Sequence, residues 1–121
     1  KIYPNGVKAL NGININILKG EFVFIVGPTG TGKSTFLKLI NREEIVTEGE
    51  VIVDGRDVEK LSANEVPHLR RRLGVIFQDF KLLPQKTCYE NVAYALQVIG
   101  AGQREISYKV PRALESVGLE N

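Results

Sequence analysis

The chain has 121 residues, 43% of them hydrophobic and 25% charged, the balance of a folded globular unit rather than of a disordered or fibrous polymer. A single cysteine, Cys88, excludes an internal disulfide framework and fits a reducing compartment, and no run nears the roughly 20 apolar residues that span a bilayer. The net charge of +2 is too small to argue for nucleic acid, and the basic run Arg70-Arg71-Arg72 reads as a solvated helix end rather than a phosphate patch.

In chain order, Ile13, Ile15 and Ile17 alternate with Asn14 and Asn16, the pattern of a half-buried strand. After Lys19-Gly20 the run Phe22 to Val26 is continuously apolar, which suits a central strand of a parallel sheet covered on both faces. A glycine-rich stretch follows, and then Phe36, Leu37, Leu39 and Ile40 take helical spacing. Residues Glu50 to Val53 read as another strand that turns at Asp54-Gly55. Ser62 and Glu65 stand at capping-box spacing, with the helix start drawn toward Asn64 if Pro67 is to lie in its first turn.

Gly74 to Phe77 reads as a further buried strand. Thr87 and Glu90 form a cleaner capping box, opening a helix with Val92, Ala95, Leu96 and Ile99 on one stripe and Gly100 as its stop. Residues 106 to 117 repeat that stripe, and Pro111 inside it implies a kink or a later start. The chain lacks methionine and stops at Gly118-Leu119-Glu120-Asn121, just past this pattern, so the expectation is part of a longer domain.

The glycine-rich stretch carries the chemistry. Gly27-Pro28-Thr29-Gly30-Thr31-Gly32-Lys33-Ser34 fits G-x-x-x-x-G-K-[ST] at every fixed position, between a strand pattern and a helix pattern. A polyphosphate is held by backbone N–H groups converging on one concavity, which needs backbone angles open to glycine and no Cβ in the way. The helix that starts near Lys33 turns its positive end toward the same anion. Lys33 is placed to reach the β- and γ-phosphates, the Ser34 hydroxyl to ligate Mg²⁺, and Thr35 to touch the α-phosphate. A glycine-rich turn that binds nothing would not need both flanking elements.

Four stretches, "YPNGVKALNGININI", "GEFVFIVGPTGTGKSTFLKLI", "GEVIVDGRDV" and "VPHLRRRLGVIFQDFKLLPQKTCYENVAYALQVIG", make the chain resemble, from Tyr3 to Asn121, the nucleotide-binding domain of ABC transporter ATPases, in particular their bacterial cell-division (FtsE-type) branch. The resemblance implies an α/β P-loop NTPase fold. Its parts would be a parallel core sheet with helices and a small antiparallel β-subdomain, to about residue 78, and the start of a helical subdomain over 79–121. It implies that Tyr3 stacks on the adenine and that Gln78 ligates Mg²⁺ and senses the γ-phosphate. It further implies a homodimer closed around ATP and an integral membrane partner similar to FtsX, met by residues 79–91 at the cytoplasmic face of the plasma membrane. The runner-up within the family is an ATPase of lipoprotein-release or macrolide-export type.

The departures from that pattern are as informative. No Leu-Ser-Gly-Gly-Gln-type signature occurs, nor an apolar run ending in Asp-Glu, nor a switch histidine, since the one histidine, His68, precedes Gln78. Glu43, Glu44 and Glu48 follow the P-loop helix in a stretch that the family does not use for chemistry. Binding of Mg·ATP without turnover by this chain alone is therefore expected. A P-loop kinase would want an arginine-rich lid and a GTPase an Asn-Lys-x-Asp motif, and neither is present.

Overall fold

The computed structural model describes residues 1–119, so the last two residues of the terminal stretch lie outside the described chain. Two compact units emerge, Lys1–Gly74 and a second that begins at Val75.

The first unit opens with a tight reversal, in which Ile2 and Lys8 form an antiparallel bridge and the Tyr3 N–H donates to the Val7 carbonyl at 2.9 Å. Helix α1 spans Lys33–Ile40. The turn read at Asp54-Gly55 joins β1, Ile52–Val53, to β2, Arg56–Asp57, in antiparallel register. Both turn residues have positive φ (50° and 73°), the geometry of a two-residue hairpin, and Asp-Gly is among the pairs that adopt it at least cost. A 3₁₀ turn, Val58–Lys60, follows, with the Asp57 carboxylate accepting from the Glu59 N–H at 3.0 Å. Helix α2 spans Val66–Arg70. Its capping box is half made: the Glu65 carboxylate accepts from the Ser62 N–H and hydroxyl, but the helix begins only after Glu65, so that Pro67 falls in the first turn. Leu39, Val58 and Leu69 are the buried apolar side chains here.

The second unit is a helical hairpin. Helix α3, Cys88–Val98, carries the complete capping box: the Glu90 N–H donates to Thr87 Oγ1 at 3.2 Å and the Thr87 N–H to the Glu90 carboxylate at 2.8 Å. Helix α4 spans Gln103–Glu115, so it starts earlier than Pro111 suggested and runs through it. Proline removes one backbone bond, but Ile106 and Val110 are fully packed with Ala93 of α3, and Leu114 joins them. That packing, rather than local propensity, holds the helix together.

The strands expected at 13–17, 22–26 and 74–77 are not formed. A strand exists only when a neighbour takes its N–H and C=O groups, and among the described residues the one ladder is β1 with β2. Phe22 is 84% exposed and Ile76 95% exposed, so these apolar runs lie uncovered rather than sandwiched. Phe22 and Phe24 meet edge to face at 4.9 Å, the same-side placement of residues two apart along an extended run. No helix among the described residues is long and apolar enough to cross a membrane.

Candidate functional site

The glycine loop delivers a helix N-terminus that no side chain caps. Gly32, the residue before α1, has φ 92°, and no side chain caps that end or places an acid in its first turn. The first helical N–H groups therefore point outward with their partial positive charge uncompensated. Gly32 is required twice over. An L-residue is strained at that φ, and a Cβ there would lie 2.3 Å from the Ala9 carbonyl oxygen and 2.7 Å from Leu10 Cδ2. Gly30 also has positive φ, at 84°. Thr31 Oγ1 donates to the Pro28 carbonyl at 2.8 Å and closes the loop on itself.

Lys33 folds back across this loop, its ammonium donating to the Gly27 and Pro28 carbonyls at 2.7 and 2.6 Å. A full positive charge is thus held against the loop's own carbonyls. Ser34 is exposed in the first turn of α1, whereas Thr35 is buried, 8% exposed. Thr35 Oγ1 lies 3.2 Å from the Tyr3 hydroxyl. The structure thus brings together Tyr3, Thr35 and the loop from Gly27 to Ser34 within the first unit. Gln78 is carried by the second unit, exposed in an irregular turn.

The donor set suits an anion and a hard cation differently. Converging N–H groups, a helix end and an ammonium fit phosphate oxygens. For Mg²⁺ the first unit offers the Ser34 hydroxyl, which fits an ion that takes most of its ligands from phosphate and water. No group of three or more acidic, histidine or cysteine side chains is placed to hold a metal among the described residues. The acids just past the C-terminus of α1 are engaged: Glu44 pairs with Lys1 at 2.6 Å, and Glu43 accepts from the Asn41 amide at 2.9 Å. The Lys81 ammonium, 2.5 Å from Asp79, holds that carboxyl below its ordinary range, away from the value that suits a general base at neutral pH.

Sequence reasoning missed the groups that hold the site from behind. Arg70 does lie exposed at the end of α2, but it does more than meet solvent: its guanidinium donates to the Asn41 and Arg42 carbonyls, each at 3.0 Å, and so caps the C-terminus of α1. Arg72 pairs with Asp54. Thr47 Oγ1 accepts from the Ile2 N–H at 2.8 Å and donates to the Ile2 carbonyl at 3.1 Å, fixing the segment that bears Tyr3. A basic residue after an amphipathic run was the only signal for Arg70, and nothing in the sequence marked Thr47.

Comparison with known proteins places this geometry among relatives. Residues 10–121 match the family model described as ABC transporter. The chain is similar to the cell division ATP-binding protein FtsE of Bacillus subtilis (strain 168), 52% identical over 121 residues that cover 100% of this chain and 53% of that protein. It is similar also to FtsE of Mycobacterium tuberculosis, 53% identical over 111 residues, 92% of this chain and 48% of that one. Among solved structures, the dimeric post-hydrolysis state of the ATP-binding cassette MJ0796 bound to ADP and Pi superposes with a TM-score of 0.81 at 37% identity, over 91% of this chain and 49% of that chain. The backbone thus follows the α/β P-loop NTPase course, although the described residues leave its core strands without a ladder. The chain spans about half the length of the curated relatives it matches.

Proposed function

This chain belongs to the ABC transporter family, and from that premise we propose that it forms the phosphate-binding part of an ATP-binding and ATP-hydrolysing subunit. The observation that carries the reading is the uncapped N-terminus of α1, ringed by the glycine loop and crossed by the Lys33 ammonium. The backbone N–H groups from Gly27 to Thr35 would grip the phosphates, and Lys33 would exchange its carbonyl partners for the β- and γ-phosphate oxygens. Ser34, with Gln78, would ligate Mg²⁺, which supplies neutralisation of phosphate charge when bound. Tyr3 would stack on the base, and Thr35 would donate to the α-phosphate.

The relatives' names motivate the wider assignment. Both are called cell division ATP-binding proteins, and the solved neighbour is a dimer. On our reading two copies close around the nucleotides and drive an integral membrane subunit similar to FtsX from the cytoplasmic face of the bacterial plasma membrane. The docking segment is 79–91, where Phe80 is 74% exposed and Leu82 is exposed beside it. Hydrolysis needs a base and charge stabilisation on the far side of the γ-phosphate. With Glu43, Glu44 and Asp79 engaged elsewhere, the 121-residue chain binds but does not turn over.

Calorimetry and phosphate release on wild type and Lys33→Ala test this together. Charge-assisted contacts of this kind are worth about 1.5–3 kcal/mol, so Lys33→Ala weakens ATP binding at least about tenfold. Neither form releases phosphate above background. Unchanged affinity would remove the phosphate site, and Lys33-dependent turnover would mean that a catalytic base lies within this chain.

A further inference from the structure

The contact between Tyr3 and Thr35 gives the tyrosine a task that stacking does not explain. Stacking uses a ring face and is indifferent to the hydroxyl. Here the hydroxyl is the part aimed at the phosphate site: it lies 3.2 Å from Thr35 Oγ1, in the first turn of α1, on a side chain that is 8% exposed. The ring is held rather than loose. The Lys1 ammonium sits 4.9 Å over it and pairs with Glu44, and Thr47 clamps the Ile2 backbone from both its donor and acceptor sides. Residues 44–47, just past the C-terminus of α1, thus anchor the segment that reaches back to the N-terminal turn of the same helix.

We propose that Tyr3 is a positioning residue for phosphate binding, acting through the Thr35 hydroxyl. The inference rests on the reading of the glycine loop as a nucleotide site. A threonine hydroxyl has one proton to donate, and an ionised phosphate oxygen only accepts. Thr35 must therefore spend its proton on the phosphate, which leaves a lone pair facing Tyr3. The phenolic O–H fills it, and a Tyr3-to-Thr35-to-phosphate chain of donors has a single polarity. Without Tyr3 the Thr35 hydroxyl is free to rotate toward the Thr31 or Gly32 carbonyl one turn back, the bond that threonines in helices make. The tyrosine selects the rotamer that serves the ligand.

The test is a double-mutant cycle read by Mg·ADP affinity on the 121-residue chain, with wild type, Tyr3→Phe, Thr35→Val and the pair. Tyr3→Phe keeps the ring and loses only the hydroxyl. It weakens binding by about two- to tenfold, the range of one neutral hydrogen bond. The same substitution costs nothing further once Thr35 is valine, and its penalty returns in Thr35→Ser, which keeps the hydroxyl. A merely structural tyrosine would not give a penalty that switches with the Thr35 hydroxyl. If Thr35→Val does not fold, Thr35→Ala takes its place. Wild-type affinity in Tyr3→Phe overturns the proposal, and so does a penalty that persists undiminished in Thr35→Val. Failure of the underlying site reading looks different: Lys33→Ala would then bind ADP as tightly as wild type.

Discussion

The glycine loop at 27–35, which runs into α1, and the segment at 79–91, which runs into α3, are both largely exposed, yet they are built on opposite principles. In the first, the backbone dictates the residue: Gly32 sits at φ 92° with the Ala9 carbonyl where a Cβ would go. In the second, bulky residues occupy left-handed backbone, Phe80 at φ 55° and Lys81 at φ 49°, and side chains hold the chain in place. The Asn91 amide donates to the Leu83, Lys86 and Thr87 carbonyls and its oxygen accepts from the Leu83 N–H at 2.8 Å. A loop that must admit an anion is made of missing atoms. A loop that presents apolar side chains is made of added ones.

The largest expected effect breaks the first region. Gly32→Ala adds a left-handed alanine, about 1–2 kcal/mol, and an overlap with backbone that cannot swing aside, about 1–3 kcal/mol. It should abolish measurable ATP binding and lower the midpoint of thermal unfolding of the first unit. Retained affinity would mean that the loop is not held against Ala9.

That asymmetry also explains what could be read from sequence. The glycine loop was legible because positive φ favours glycine at Gly27, Gly30 and Gly32, and the capping box at Thr87 and Glu90 because its reciprocal bonds fix the residue types at that spacing. The hairpin at Asp54-Gly55 followed from φ preference. By contrast, Arg70 reaches carbonyls 28 and 29 residues back, and Asn91 ties several carbonyls of an irregular loop four to eight residues back, and neither reach leaves a spacing to recognise. The apolar runs at 13–17, 22–26 and 74–77 were read correctly as apolar but not as unladdered, because a ladder belongs to two segments and each run describes only one. Pro111 misled because a local cost was weighed without the packing of Ile106 and Val110 that offsets it.

A smaller effect sharpens the second region. Asn91→Ala removes the ties that shape residues 83–87, at a cost of about 1–2 kcal/mol, and should leave ATP affinity unchanged. In membranes holding the full-length protein and the proposed FtsX-like subunit, cysteines at 80–83 should crosslink to that subunit, and the Asn91→Ala background should reduce the yield severalfold. Equal yields in both backgrounds would show that Asn91 does not present the docking residues, and crosslinks arising only from distant positions would remove the docking assignment.

The smallest effect concerns pH. Hydrogen bonds from the Thr87 backbone, with help from Lys86, hold the Glu90 carboxyl below its ordinary range. A carboxyl lowered in the folded state stabilises it above the ordinary glutamate value and loses that contribution as pH falls through the lowered one. The protection of amides in the first turn of α3, taken relative to their intrinsic exchange rate at each pH, should therefore fall below pH about 4, and less so in Glu90→Gln, which keeps an acceptor but does not titrate. Equal acid sensitivity in the two would assign the effect elsewhere.

The most direct test of the central claim is a Mg·ATP titration of the ¹⁵N-labelled chain followed by amide shifts. If the N-terminus of α1 and its glycine loop are the phosphate site, the amides of residues 27 to 35 move together and saturably, and in Lys33→Ala they need at least about tenfold more nucleotide. Saturable shifts centred elsewhere, or an unchanged titration in Lys33→Ala, would contradict the account.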